Sequence, residues 1–119
     1  MKALIIIAHG SKKDLSNNEF KSMVEKIKDK NFQYDFIETS FLELAIPSIE
    51  DATKELIKKG VKEFYYYPFF LNSGRHVLSD IPEIINTLKE NYPTLNFNLL
   101  THFGKSKFIE EIILKDIAF

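Results

Sequence analysis

The chain has 119 residues, of which 45% are hydrophobic, and this is enough for one domain with a single core. Its 16 basic and 17 acidic residues give a formal net charge of −1, which argues against broad electrostatic binding to nucleic acid or to an anionic membrane. It contains no cysteine, so disulfides, thiolate metal sites and cysteine nucleophiles are excluded. Any metal ion would have to be bound by nitrogen and oxygen ligands, and three histidines are available.

No segment of the sequence has the character of a membrane or export signal. The apolar run at residues 3–8 is too short for the core of a signal peptide. No run approaches the roughly 20 apolar residues that a membrane-spanning helix needs. Linkers, low-complexity tracts and internal repeats are also absent from the sequence. We therefore expect a cytoplasmic protein formed by one domain over residues 1–119.

Four strand-like segments alternate with four amphipathic segments along the chain. The first strand is a continuous apolar run typical of a strand that is buried on both faces. The predicted strands cover residues 2–8, 34–41, 61–70 and 95–101. The predicted helices begin near residues 14–16, 47–49, 81 and 104; lysines crowd the end of the first, and the other three end near residues 59, 91 and 115. This order predicts a three-layer α/β fold, with a four-stranded parallel sheet, right-handed crossovers and helices on both faces.

Capping residues indicate where the helices begin and end. Residues 16–19 (Ser-Asn-Asn-Glu) offer caps for the first helix, and Gly60 is a suitable stop for the second. Asp80 can cap the third helix, where Pro82 fits the first turn. The fourth strand alternates in a way that suits a sheet edge. The last helix is expected to bury four apolar residues, Phe108, Ile109, Ile112 and Ile113.

Three polar side chains follow the first three predicted strands. His9 comes directly after the first strand, Glu43 after the second and His76 after the third. The carboxyl ends of parallel strands meet at one edge of a sheet, where ligands bind, and neighbouring strands lie about 4.8 Å apart. Two neutral imidazoles and a carboxylate form a suitable ligand set for a borderline divalent metal ion with open coordination positions.

Each of these residues also has an ordinary structural interpretation. A single histidine after a strand is more often a hydrogen-bonding loop residue than a ligand, and Glu43 alone could be a solvated charge or a helix cap. His102 follows the fourth strand and is a candidate to support the site from outside the ligand set. Lys12, Lys13 and Arg75 flank the two histidines; they are either solvated surface residues or anchors for substrate carboxylates, for which arginine is best suited.

Three longer sequence blocks contain these candidates. They are Ala8-His9-Gly10-Ser11, then Phe41-Leu42-Glu43 with Pro47-Ser48-Ile49, and then Pro68-Phe69-Phe70-Leu71 with Gly74, His76-Val77 and Asp80-Ile81-Pro82. In order and spacing, the blocks resemble the small class II tetrapyrrole chelatases, in particular the short sirohydrochlorin cobaltochelatases and ferrochelatases. The third block is specific, whereas the His-Gly-Ser triplet alone would be a weak signal.

The resemblance implies a chelatase-like fold and an ATP-independent lyase that inserts a divalent metal ion into sirohydrochlorin. The metal ion is then a substrate, with Co²⁺ ahead of Fe²⁺ and Ni²⁺ as a further candidate, and no organic cofactor is expected. It also implies a homodimer and a place in cobalamin or sirohaem biosynthesis. The metal histidines of the family map onto His9 and His76, its acidic residue onto Glu43, and an asparagine of its first helix onto Asn17.

The sequence departs from the family pattern at several positions. Lys12 stands where the family usually has an arginine, which weakens the case for bidentate carboxylate binding there. The fourth strand runs into Phe103-Gly104 with His102 before it, where the family usually has a Leu-Gly pair. The chain also lacks a histidine-rich stretch, so metal storage is not expected.

In the mechanism that this resemblance suggests, His9 and His76 present the metal ion and accept pyrrole protons as neutral imidazoles. Glu43 completes the metal site or relays a proton. The predicted substrate contacts are Ser11, Lys12, Gly74 and Arg75. Which histidine is the ligand and which is the base stays open at this point.

Three other functional classes compete with the chelatase interpretation. A strand followed by His-Gly is also found in histidine phosphatases, but Ala8 stands where those enzymes need arginine. A non-catalytic carrier of metal or tetrapyrrole would show stoichiometric binding without turnover. A degenerate homologue that serves only as a partner subunit would not need the complete set of His9, Glu43 and His76.

Overall fold

Strands and helices alternate along the computed structural model, which describes residues 1–31 and 33–119. The elements are β1 (Lys2–Ala8), α1 (Asp14–Lys30), β2 (Phe36–Phe41), α2 (Ile49–Lys58), β3 (Glu63–Pro68), α3 (Ile81–Asn91), β4 (Asn96–Leu99) and α4 (Ile109–Asp116). A π-helical turn (His76–Asp80) precedes α3, and a 3-10 turn (Phe103–Lys105) follows β4. None of the helices in this described part of the chain has the length and apolar content required to cross a bilayer.

The four strands form one parallel sheet in the order β2-β1-β3-β4. Ile7 of β1 pairs with Ser40 of β2 on one side and with Pro68 of β3 on the other. The three strands therefore end almost level with one another. The segments that follow β1, β2 and β3 therefore all leave the sheet at the same edge.

Alternate residues of β1 supply two separate cores, one on each face of the sheet. Ala3, Ile5 and Ile7 face α2 and α3, where they pack against a buried set that includes Ile49, Leu56, Ile81 and Ile85. Leu4 and Ile6 face α1 and pack with Phe20 and Val24. The predicted α/β fold, with a four-stranded parallel sheet covered on both faces, is thus confirmed.

The order in which the strands are added to the sheet reverses between β1 and β3, at the centre of the sheet. The connection from β1 leads to β2 on one side, whereas the connection from β3 leads to β4 on the other. Crossovers of the same hand place α1 on one face and α2 and α3 on the opposite face, as observed. In open α/β sheets, ligands bind in the crevice outside such a reversal point. The segments after β1 and β3 border this crevice.

A buried polar pair ties α2 to β3 in the middle of the larger core. The Thr53 and Tyr66 hydroxyl oxygens are 2.8 Å apart, and Thr53 also donates to the Ile49 carbonyl. Burial raises the pKa of the Tyr66 phenol above its ordinary value. The phenol therefore stays neutral and keeps its hydrogen bond as pH rises.

The C-terminal part of the chain differs most from its prediction. Helix α4 begins at Ile109, later than expected, because the 3-10 turn occupies the predicted first turn. The inward packing predicted for three of its apolar residues is wrong, since Phe108, Ile112 and Ile113 are 54%, 48% and 52% exposed. Helical periodicity predicts an apolar side of a helix, but it does not specify what covers that side.

Candidate metal centre

Three side chains converge outside the carboxyl ends of β1, β2 and β3. Ligand atoms of His9, Glu43 and His76 all lie within 4.8 Å of one another. The two imidazole ring centroids are 4.8 Å apart, with an angle of 54° between the planes. The sequence predicted that these residues lie at one edge of the sheet. In the structure they meet at one point, beside the position where the strand order reverses.

Hydrogen bonding leaves Nε2 of His9 free for a ligand. His9 Nδ1 lies 3.0 Å from the Gly10 carbonyl oxygen, and a carbonyl can only accept, so Nδ1 carries the proton. Nε2 then faces Glu43 Oε1 at 3.8 Å, which is too long for a hydrogen bond. Two ligands of a tetrahedral ion with bonds of about 2.1 Å lie about 3.4 Å apart, so an ion fits between them after a small adjustment.

Backbone contacts hold the Glu43 loop against the segment that follows β1. The Leu42 N–H donates to the Ala8 carbonyl and the Glu43 N–H donates to the His9 carbonyl, at 2.9 and 3.0 Å. The Glu43 carbonyl lies so close to Gly10 that an added Cβ would be 1.8 Å from its oxygen. Gly10 also has a φ of +100°, which favours glycine. The first ligand segment therefore depends on Gly10 having no side chain.

His76 lies in a π-helical turn, not in the loop that the sequence predicted. Helical conformation begins at Arg75 and continues through the π turn into α3. The Asp80 carboxylate accepts a 2.8 Å hydrogen bond from His76 Nδ1, which leaves Nε2 of this ring free as well. Single π turns occur frequently at functional sites. Asp80 is thus a positioning residue for His76.

The predicted capping role of Asp80 is wrong. Its backbone is helical, and its side chain makes no capping hydrogen bond. The sequence signal for its actual role was available, because residues four apart on a helix are neighbours. Because the sequence predicted a third helix that begins at residue 81, His76 and Asp80 were not recognised as neighbours four residues apart on a helix.

We expect Asp80→Asn to weaken Co²⁺ binding at the three-residue site by about tenfold or more, because the carboxylate that orients a metal-binding imidazole contributes to metal affinity. Isothermal titration with Co²⁺ measures the change. Asp29→Asn, an exposed carboxylate at the far end of α1, is the matched control. Equal Co²⁺ affinities for wild type and Asp80→Asn would remove Asp80 from the site.

Asn17 braces the loop that carries His9. Its side-chain oxygen accepts from the Ser11 N–H at 3.0 Å, and its amide group donates to the Ser11 carbonyl at 2.7 Å. The residue is buried within α1, which begins at Asp14, so the prediction that residues 16–19 cap this helix is wrong. The side chain serves the loop after β1 and not the start of the helix.

We expect Asn17→Ala to lower the free energy of unfolding by about 1–3 kcal/mol, because it leaves two backbone groups of Ser11 without their partners. Urea denaturation measures the loss. The neighbouring Asn18 is exposed on the same helix, so Asn18→Ala controls for the higher helix propensity of alanine. A similar stability for both variants would contradict the bracing role.

The four predicted substrate contacts lie on the same loops as the ligands. Lys12, Gly74 and Arg75 are exposed, and an added Cβ on Gly74 would meet no heavy atom within 4 Å. Ser11 is partly buried, and its hydroxyl accepts a 3.0 Å hydrogen bond from the Lys13 N–H. The two cations therefore remain available to a ligand, whereas Ser11 already serves the loop.

Large apolar side chains are exposed in the segments that follow β1, β2 and β3, which also carry His9, Glu43 and His76. They are at least one-third exposed: Leu15, Leu44, Ile46, Phe69, Leu71 and Leu78. We call this set the apolar rim. The sequence leaves open that the C-terminal members of the aromatic run at residues 64–70 form one wall of an apolar cleft, but it gives no such signal for the other members of the rim. Exposed apolar side chains in the same segments as polar site residues are typical of a surface that binds a ligand or a partner.

The matches with known proteins agree with this geometry. The model of the CbiX family matches residues 3–118. The chain belongs to the CbiX family. One CbiX-like relative, named sirohydrochlorin cobaltochelatase, from Methanocaldococcus jannaschii, is 32% identical over 92 residues, which are 77% of this chain and 64% of that protein. The resemblance that the sequence blocks indicated is thereby confirmed.

Two solved structures share the CbiX fold of this chain. A protein from Marinobacter aquaeolei VT8, described as a cobalamin (vitamin B12) biosynthesis CbiX protein, matches with a TM-score of 0.85 and 25% identity, over 98% of this chain and 94% of that one. SirB from Bacillus subtilis subspecies spizizenii, a sirohydrochlorin chelatase in complex with cobalt, has a TM-score of 0.86 and 28% identity. That match covers 98% of this chain but 51% of SirB. The chain thus spans about half to two thirds of several relatives.

Proposed function

We propose that this chain inserts a divalent metal ion into sirohydrochlorin, with Co²⁺ as the first candidate and Fe²⁺ and Ni²⁺ as further ones. The observation that carries the proposal is the convergence of His9, Glu43 and His76 in a chain of the CbiX family. Metal chelation by relatives named as cobaltochelatases and ferrochelatases supports the same reaction. Insertion of Co²⁺ would place the chain in cobalamin biosynthesis, and insertion of Fe²⁺ in sirohaem biosynthesis.

The reaction exchanges one metal ion for two pyrrole protons. In the proposed mechanism, Nε2 of His9 and of His76 and the Glu43 carboxylate hold the ion at the mouth of the crevice. As the ring nitrogens replace these ligands, each released imidazole can accept a pyrrole proton, which is a reaction suited to histidine near neutral pH. The exchange changes no oxidation state, so it requires no redox cofactor; independence from ATP is what the family resemblance implies.

The loops around the site offer complementary contacts to a macrocycle with carboxylate groups at its edge. The apolar rim would contact the flat faces of the ring. Lys12 and Arg75 would pair with the peripheral carboxylates, for which the Arg75 guanidinium can form a bidentate contact. Gly74 leaves open space beside Arg75, so the macrocycle can approach the backbone there.

We further propose that the catalytic form is a homodimer of chains that each act as one chelatase domain over residues 1–119. One sheet edge provides one wall of a cleft, and the apolar rim is the surface that a second copy would cover. SirB, of which this chain matches about half, shows that a relative carries a second stretch of similar length. A cytoplasmic location stays a prediction.

Sedimentation velocity tests the dimer. We expect the wild-type chain to sediment as a dimer and Ile46→Asp, at an apolar rim position that is 81% exposed, to sediment as a monomer. Leu114→Asp changes the open side of α4 and is the matched control, since Leu114 is 64% exposed. A monomeric wild type would exclude the dimer. A monomer for Leu114→Asp alone would transfer the interface to α4.

Catalysis is tested with purified chain, Co²⁺ and sirohydrochlorin, by following the absorbance change of the tetrapyrrole. Protein at about one-hundredth of the substrate concentration should convert most of the substrate, at a rate above that of the protein-free reaction. Conversion that stops at one equivalent of protein would favour a carrier. Rates equal to the protein-free reaction would exclude the chelatase.

A further inference from the structure

The turn after β4 contacts the loop after β3 at three places. The Gly104 N–H donates to the Phe70 carbonyl at 2.9 Å. The Phe69 and Phe103 ring centroids are 5.1 Å apart. Nε2 of His102 lies 3.1 Å from the Ser73 hydroxyl oxygen. These contacts connect a segment that carries no proposed ligand with the loop that leads to His76.

His102 differs from the other two histidines in its burial. His102 is buried, at 8% exposure of the whole residue, whereas His9 and His76 are only partly buried. A buried imidazole requires a hydrogen-bond partner, and Ser73 supplies one from an exposed loop position. The hydrogen bond therefore ties the exposed loop that contains Ser73 to the buried side chain of His102.

The backbone contact beside this bond leaves little room for movement. A Cβ added to Gly104 would lie 1.6 Å from the Leu71 carbonyl oxygen, so the turn and the loop touch main chain to main chain. The helical segment with His76 begins at Arg75, after residues 72–74. The Val77 and Leu78 N–H groups both donate to the Gly74 carbonyl, at 3.1 and 2.9 Å. The position of Gly74 therefore fixes the first turn around His76.

We propose that His102 is a positioning residue for the metal site. Through its bond to Ser73, it holds the loop at residues 70–74 so that the π turn presents His76 to His9 and Glu43. His102 is not a ligand, and it acts through the backbone that it anchors. The expected effect of His102 on metal binding rests on the proposed function.

Amide hydrogen exchange tests the anchor without any metal. Ser73→Ala should speed exchange at the Val77 and Leu78 amides about fivefold, the effect of losing one hydrogen bond that holds the segment. His102→Leu should have a similar effect. The double variant should add nothing, because both changes remove the same bond. Ser22→Ala, an exposed serine on α1, should leave these two amides unchanged.

A rescue variant separates the hydrogen bond from burial. His102→Gln places an amide near the former Nε2 position and should restore slow exchange, whereas His102→Leu should not. The same series, titrated with Co²⁺, should show about fivefold weaker binding and an altered ligand-field absorption spectrum for Ser73→Ala and His102→Leu. The His102→Gln variant should give the wild-type spectrum.

The outcomes distinguish this inference from the proposed function. Unchanged exchange at Val77 and Leu78 in Ser73→Ala, or an equal effect of His102→Gln and His102→Leu, would overturn the positioning role. Faster exchange with unaltered Co²⁺ affinity and spectrum would also overturn it, because the anchor would then not reach the site. A wild type that binds no Co²⁺ would instead remove the proposed function, while the exchange result would still decide whether His102 anchors the loop.

Discussion

Replacing His9 or His76 with alanine is expected to lower the rate of catalysed metal insertion by about 10²- to 10⁴-fold, the range for loss of a positioned proton acceptor. Each variant also loses one of the three proposed ligands, so Co²⁺ binding should weaken in parallel. The absorbance change of sirohydrochlorin measures the rate, and titration with Co²⁺ measures the affinity. Both side chains are partly exposed, so we expect the variants to fold normally.

Glu43 allows the ligand role to be separated from the proton role. Glu43→Gln removes the charge of the third ligand and should weaken Co²⁺ binding, while both imidazoles remain as proton acceptors. Glu50→Gln, an exposed carboxylate in the first turn of α2, is the matched control. Wild-type rates for both histidine variants would exclude this mechanism, even if the chain still inserts metal.

Gly10→Ala is expected to lower the free energy of unfolding by about 2–4 kcal/mol, because a side chain at this φ is strained and its Cβ would overlap the Glu43 carbonyl. Relief of the overlap would push Glu43 away from His9, so metal insertion should also be lost in the fraction that folds. Urea denaturation measures the stability and the sirohydrochlorin assay measures the activity.

Gly74→Ala is the control for Gly10→Ala, because it also replaces a loop glycine with alanine but creates no steric overlap. Its Cβ would meet no atom within 4 Å, so the free energy of unfolding should change by no more than about 0.5 kcal/mol. Comparable destabilisation of Gly10→Ala and Gly74→Ala would show that the contact with Glu43 is not the cause. A stable and fully active Gly10→Ala variant would contradict the close approach of the two loops.

The meeting of His9, Glu43 and His76 could be predicted from the sequence because strand order constrains it strongly. Each residue follows a predicted strand, and parallel strands bring their carboxyl ends to one edge. The sheet order supplied the remaining requirement, since β1 lies between β2 and β3. The alternation of strands and helices predicted the shared edge, whereas the order of the strands within the sheet came from the structure.

The residues that hold the ligands in place could not be predicted in the same way. Aspartate and asparagine are both preferred at helix starts, so Asp80 and Asn17 were predicted to be capping residues. In the structure they bond to His76 and to Ser11, respectively. Their actual partners depend on where each helix begins, which is the least certain part of a sequence-based prediction.

The contact of the three candidate ligand side chains with water has a consequence for what the proposed site can do with an ion. His9, Glu43 and His76 remain 42%, 50% and 37% exposed. In the proposed metal site, water would reach the ion in the single chain and replace one protein donor at a time, so that no deep burial would oppose its departure. Such a centre is suited to handing its cargo on within each cycle, in contrast to an enclosed structural site that keeps its metal for the lifetime of the protein.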